Sequence, residues 1–280
     1  MLKKILSLFK GKRQKKIYVL RLSGVIGISQ GGLRRGSGIS FDNLRIHIDK
    51  AFKDRSAKAI VLQINSPGGS PGQSELIYRY IRYLSVSKKM PVYSFIEDVA
   101  ASGGYWLACA GDEIYALDTS IIGSIGVVSA GFGFVDLMKK VGVERRVITQ
   151  GDSKMVWDPF SDEKKSDKKI IESIQKDTYH IFQNLVKNSR GKKLNIEEAK
   201  LFSGEFWAGV TAKKFGLVDG IGDFYSVMKE KYGDNVEFVF AEKKESMIGK
   251  MLGLSSRYDV ADYIMNKLEE KVAFIRFKIW

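Results

Sequence analysis

One cysteine, two histidines and four prolines stand among 280 residues, and each shortage removes a class of chemistry. Cys109, alone, excludes an internal disulfide and reads as a small buried thiol of the core. His47 and His180 lie far apart in the chain and have no cysteine partners, so no zinc cluster and no metal site are expected. Scarce proline argues against stiff disordered linkers, while 28 glycines favour tight turns and close backbone approaches. No apolar run reaches the length of a bilayer span; Ile5-Leu6-Ser7-Leu8-Phe9 is too short even for the hydrophobic stretch of a signal peptide. Signatures of nucleic-acid binding (a helix-turn-helix, zinc fingers, aromatic RNA-binding motifs) are missing as well, so nucleic acid is not an expected partner.

Acidic residues are missing from positions 1–16, which hold seven cations. Half of the net charge of +14 therefore sits in a short arm. Leu2, Ile5, Leu6 and Phe9 share one helical face among lysines, a pattern that suits an anionic membrane surface as well as it suits a solvated basic arm. The C-terminal run Val272–Trp280 is apolar and cationic, and fits a terminal strand, an oligomer contact or a membrane contact. The location expected from these features is peripheral to a membrane or cytoplasmic.

The remainder, with 44% apolar and 28% charged residues, is ordinary for a globular protein. Strands are predicted at Ile17–Leu22, Ala59–Ile64, Val92–Ile96, Glu113–Ala116 and Arg145–Thr149, the second as a fully buried parallel strand. Helices are predicted at Leu44–Phe52, Ser74–Leu84, Ser102–Ala110, Val135–Val141 and Lys169–Asn188, and at Ile196–Phe202 behind an Asn195 cap. The alternation implies α/β layers. The chain divides into a basic arm (1–16), a main domain (17–225) and a more polar C-terminal appendage (226–280). The Gly31–Gly38 segment, with two arginines, reads as a mobile loop.

Two places have the form of an acyl-transfer site. Ser102 sits between small residues in Val99-Ala100-Ala101-Ser102-Gly103-Gly104, at a predicted strand–turn–helix junction that presents a hydroxyl beside free helix N–H groups. Pro67-Gly68-Gly69 follows a buried strand, where missing side chains let backbone N–H groups approach a ligand. One N–H from Gly69 and one from Gly103 would make an oxyanion hole. Each signal taken alone also fits a plain helix cap or a plain turn.

Together with Thr119-Ser120-Ile121-Ile122-Gly123-Ser124-Ile125-Gly126-Val127 and the run Phe206–Asp219, these stretches resemble the SppA-type signal peptide peptidases. The resemblance covers roughly Ile17–Tyr225. It implies a Clp protease/crotonase-like fold of repeated ββα units and a Ser/Lys dyad without a cofactor. The family's nucleophile falls on Ser102, its general base on Lys154 within Gly151–Phe160, and its lysine-orienting serine on Ser124; its oxyanion donors fall on Gly69 and Gly103. It also implies peptide substrates, apolar ones such as signal-peptide remnants, and a homo-oligomeric ring in which neighbouring subunits complete each site.

A lysine serves as base only when it is desolvated, because free lysine titrates near 10.4. Met155, Val156, Trp157 and Phe160 are candidate apolar walls. A Clp-type histidine about twenty-five residues after the serine is missing; Val127 and Val128 occupy that place. Glu97 and Asp98 read as structural pairing groups. Bacterial members usually carry a membrane-spanning N-terminal helix that this sequence does not show. A crotonase-type acyl-CoA hydratase or isomerase, and a non-catalytic membrane-surface scaffold, are the alternative readings.

Overall fold

The computed structural model describes residues 14–27 and 38–241. Residues 1–13 of the basic arm, most of the Gly31–Gly38 loop and the C-terminal run lie outside the described residues, while Lys15 and Lys16 at the end of the arm belong to the first strand. Eight strands among the described residues form one sheet, in the order β6 (Phe206–Ala208), β5 (Ile121–Gly123), β3 (Val92–Ala101), β2 (Ala57–Ser66), β1 (Lys15–Ser23), β8 (Val236–Phe240), with β4 (Glu113–Ala116) pairing β3 and β7 (Gly220–Ile221). In chain order, β1 (Lys15–Ser23), α1 (Phe41–Lys53), β2 (Ala57–Ser66), α2 (Pro71–Lys88) and β3 (Val92–Ala101) are successive parallel strands joined by helical crossovers. Apolar residues crowd both faces of β2, whose Ala59–Ile64 run is almost wholly buried, as a strand covered by helices requires.

Local chemistry sets the helix starts. Ser40 accepts from the Asn43 N–H at the head of α1, and Ser70 accepts from the Gln73 N–H at the head of α2, where Pro71 fills the first turn. α1 buries Leu44, Ile48, Ala51 and Phe52, the stripe its spacing predicts.

β3 is the strand that places the site. Its first half pairs β4 (Glu113–Ala116) through Tyr93–Ile96, and its second half pairs β5 (Ile121–Gly123) through Val99–Ala101. At the changeover the β2 register shifts between Ile64 and Ser66, so that Ser66 faces Ala100. The strand then ends in α3 (Gly103–Ala108), six residues that are all buried. β6 (Phe206–Ala208) runs antiparallel to β5, and α7 (Gly209–Lys214) and β7 (Gly220–Ile221) follow. α8 (Phe224–Tyr232), capped by Asp223, and β8 (Val236–Phe240) continue the chain past residue 225; β8 joins the sheet beside β1. Phe224, Met228 and Val236 pack into one core cluster with Ile17, Val19 and Phe95.

The described residues form two compact units: those up to Ile125 together with those from Leu185 on, and Gly126–Asn184. The second unit contains α4 (Val135–Val141) and most of α5 (Lys165–Arg190), the longest helix. α4 buries no residue, and Phe132 and Ile148 are 81% and 98% exposed.

Two local expectations are corrected. Arg145–Thr149 forms no strand: no neighbouring segment offers it a ladder, and the stretch is exposed and irregular. Asn195 does not cap a helix. Its backbone N–H is committed to the Phe215 carbonyl, and α6 (Glu198–Leu201) starts later, behind Glu197.

Candidate active site

Ser102 has φ 52° and ψ −121°, a left-handed backbone that a residue with a Cβ adopts at a cost of roughly 1–3 kcal/mol. Three hydrogen bonds hold it there. Its N–H donates to the Gly123 carbonyl at 2.9 Å, and its carbonyl accepts from the N–H groups of Tyr105 and Trp106 at 2.9 and 3.0 Å. The hydroxyl caps nothing, although the residue stands at the N-cap position. A serine placed there only to start a helix would spend its side chain on the cap.

The Pro67-Gly68-Gly69 turn packs directly against this residue. A Cβ built on Gly68 would lie 2.9 Å from both the Ala101 carbonyl oxygen and the Ser102 Cβ, and 3.0 Å from the Gly103 nitrogen. Gly68 and Gly69 have φ of 106° and 142°, so glycine meets both the space and the backbone requirement. On the other side, a Cβ on Gly103 would lie 3.4 Å from the Gly69 nitrogen and 2.6 Å from Ser74 Oγ. The two glycine backbones thus converge beside the serine. The Gly103 N–H opens α3 and has no acceptor within the helix, and the Gly69 N–H is committed to no other group among the described residues. Ile26 clamps the turn from behind: its N–H donates to Gly68 O at 2.8 Å and its carbonyl accepts from the Ser70 N–H at 2.7 Å.

Ser124 joins this group through the sheet. Ala101 pairs Gly123, whose carbonyl holds Ser102, and Ser124 is the next residue. It is buried, has φ 52°, and donates its N–H to Glu205 O at 2.6 Å. Four of the sequence-predicted residues, Ser102, Gly103, Gly69 and Ser124, therefore meet at the C-terminal ends of β2, β3 and β5 in the first unit.

Lys154 belongs to the second unit, in the turn Asp152–Trp157, and its side chain is exposed. Met155 and Val156 are half-buried, but Trp157 and Phe160 are 42% and 41% exposed. Within that unit the turn is fastened by an Arg145–Asp158 ion pair, with the Arg145 guanidinium also 5.0 Å from the Phe160 ring centre. The Phe134 N–H donates to Pro159 O at 2.7 Å.

The remaining ionisable candidates are occupied elsewhere. Gln63 Nε2 donates to Glu97 at 2.6 Å and Asn65 Nδ2 to Asp98 at 2.8 Å, so both carboxylates take part in structural pairing. His47 Nδ1 bonds the Ala241 carbonyl at 2.9 Å, and His180 is exposed beside Gln183. Cys109 is buried, and desolvation pushes its thiol up to about 12, so it is no nucleophile. No group of three or more His, Cys, Asp or Glu suited to a metal occurs among the described residues. Sequence reasoning passed over Ser74 and Ile26, which line the glycine pair; neither carries a motif.

A strained serine at a strand-to-helix turn, beside the Gly69 and Gly103 N–H groups, has the form of a serine acyl-transfer site. Comparison with known proteins narrows that class. The family described as "Peptidase family S49" matches residues 85–235. The chain is 46% identical over 237 residues to a Brucella abortus protein named Na(+)/H(+) antiporter NhaA, covering 85% of this chain and 32% of that one. It is 30% identical over 217 residues to the putative signal peptide peptidase SppA of Enterococcus faecium, covering 77% and 62%. It thus spans less than two thirds of the length of either relative. In fold it resembles a membrane-bound stomatin-specific protease solved with a substrate peptide, at a TM-score of 0.52 and 17% identity, covering 85% of this chain and 96% of that one. The chain belongs to peptidase family S49, as an SppA-type member with a Clp protease-like fold. No described helix is long and apolar enough to cross a membrane.

Proposed function

We propose that the protein is a serine endopeptidase that cleaves apolar peptides, such as signal-peptide remnants or membrane-protein fragments, through an acyl-enzyme on Ser102. The observation that carries this reading is the strained Ser102 backbone with its hydroxyl unspent, packed against Gly68 and Gly69. Ser102 Oγ attacks the scissile carbonyl carbon, and the amine of Lys154 takes the hydroxyl proton. Negative charge gathers on the carbonyl oxygen, where the Gly69 and Gly103 N–H groups receive it. The C–N bond then breaks, and the Lys154 ammonium protonates the leaving amine. Water attacks the ester with Lys154 again as base, freeing Ser102 and the second product. Ser124 orients the amine without adding charge.

A base of this kind works only out of water, whereas Lys154 is exposed in the single chain. We therefore assign the working form to a homo-oligomer in which a second copy covers the second unit. Exposed Val128, Phe132, Leu137, Val141 and Ile148 support this, because an apolar surface so poorly buried invites a partner. The basic arm supports attachment to an anionic membrane surface.

The test is digestion of a peptide library read by mass spectrometry, with Ser102→Ala and Lys154→Ala as controls and circular dichroism to verify their folds. Both variants are expected to lose cleavage while remaining folded. Full activity in either overturns its assigned role.

A further inference from the structure

The six residues of α3 carry the nucleophile at one end, so whatever fixes the other end fixes the reaction geometry. Three successive carbonyls there are each met by a side chain from a different element. Ser94 Oγ on β3 donates to Ala108 O at 2.8 Å, Ser189 Oγ on α5 to Cys109 O at 3.3 Å, and Arg82 Nη1 on α2 to Ala110 O at 3.1 Å. In the middle of the helix, the wholly buried Tyr105 donates its hydroxyl to Leu217 O at 2.8 Å.

Leu217 is held in turn by a buried charge. Arg190 is 2% exposed; its Nε donates to Gly216 O at 2.9 Å, and its two terminal nitrogens donate to the Asp219 carboxylate at 2.8 and 3.1 Å. The same carboxylate accepts from the Ile114 N–H at 2.8 Å and from Lys193 Nζ at 2.6 Å. The Asp219 N–H donates back to Ile114 O at 2.6 Å. Arg190 therefore grips both ends of the segment Gly216–Asp219, from which Tyr105 hangs. Such a fork is planar and bidentate, a geometry lysine does not reproduce.

We propose that Arg190 is a positioning residue for acylation at Ser102: through Asp219, Leu217 and Tyr105 it holds α3 where the serine keeps its left-handed backbone beside Gly69. The inference rests on the acyl-enzyme reading. A relaxed α3 lets Ser102 fall into an ordinary helical or extended conformation, which moves the hydroxyl and the Gly103 N–H together. Substrate binding along the surface is unaffected, so turnover suffers and affinity does not.

The test compares Arg190→Lys with Met228→Ala, a wholly buried residue of the β1/β8/α8 cluster whose loss destabilises the same unit without touching α3. Both are assayed at least 15 °C below their melting points on a quenched fluorescent peptide of alternating leucine and alanine. Arg190→Lys is expected to lower kcat at least tenfold below Met228→Ala with KM within twofold of wild type. A crystal structure of the variant is expected to show Ser102 away from φ 52°. Equal kcat in the two variants, or an unchanged Ser102 backbone, overturns the proposal. Asp219→Asn, which keeps the side-chain shape and weakens the fork, serves the same comparison if the lysine variant does not fold. A wild-type rate in Ser102→Ala would instead overturn the acyl-enzyme reading, so the two failures are separable.

Discussion

Gly103→Ala tests the spacing of the oxyanion donors with a single methyl group. The new Cβ would lie 2.6 Å from Ser74 Oγ, 3.1 Å from Ile26 Cδ1 and 3.4 Å from the Gly69 nitrogen. Ser74 Oγ can swing away only by giving up its 2.9 Å bond to the Ser70 carbonyl, a loss of about 1 kcal/mol. If it stays, overpacking costs roughly 1–3 kcal/mol, of which the better helix propensity of alanine returns up to about 1 kcal/mol. The net expectation is a destabilisation of about 0–3 kcal/mol, below the roughly 5–15 kcal/mol that typically holds a domain folded. The effect on turnover is larger. A shift of a few tenths of an ångström between α3 and the Gly69 turn misaligns one of two donors, and one lost donor lowers kcat by about 10²–10³. Adding Ser74→Ala removes the hydroxyl the methyl group meets, so the double variant should regain at least tenfold in kcat. Steady-state cleavage of the leucine–alanine peptide and calorimetric melting give both quantities. A fully active Gly103→Ala, or a double variant no faster than the single one, would show that the spacing of Gly103 from Gly69 and Ser74 does not set turnover.

Lys154→Arg should be as inactive as Lys154→Ala, about 10²–10⁴ below wild type in kcat, because a guanidinium keeps its proton; cleavage by the arginine variant at a tenth of the wild-type rate would contradict a lysine base. The Cys109 thiol, buried and pushed up to about 12, should resist iodoacetamide at pH 8 in the native protein and react in denaturant, as intact mass would report. Asp219 is held down to about 2: desolvation by burial opposes this, but hydrogen bonds from Arg190, Lys193 and the Ile114 N–H outweigh it. Its depressed value means that its stabilisation is fully present above the ordinary carboxylate range and is lost as pH falls from about 4 towards 2. Linkage puts this on the order of 1 kcal/mol after solvent screening. Urea melts of wild type and Asp219→Asn should therefore converge as pH drops through that window, and a constant difference would remove Asp219 as the cause.

Legibility in the sequence followed length and periodicity. Val135–Val141 has the bounds its spacing predicts, and Ala59–Ile64 lies inside β2 as a buried run, because each repeats a simple pattern over enough residues. β6 and β7, of three and two residues, carry no period and escaped notice. Ser102 and the two glycine positions were readable because small residues cluster there; the left-handed backbone that gives them meaning was not. Arg190 carries no motif, and only the fold reveals that it is buried against Asp219. Asn195 had the right side chain for a cap, but the helix starts only at Glu198, behind Glu197.

The central claim is a covalent intermediate at one hydroxyl. It is tested most directly by mixing the protein with an apolar peptide ester, quenching in acid within the first turnover and mapping the added mass by peptide digestion. One acyl group is expected, carried by Ser102 in the wild type and absent from Ser102→Ala. Turnover with no acyl group on Ser102, or with the group on another side chain, would contradict it.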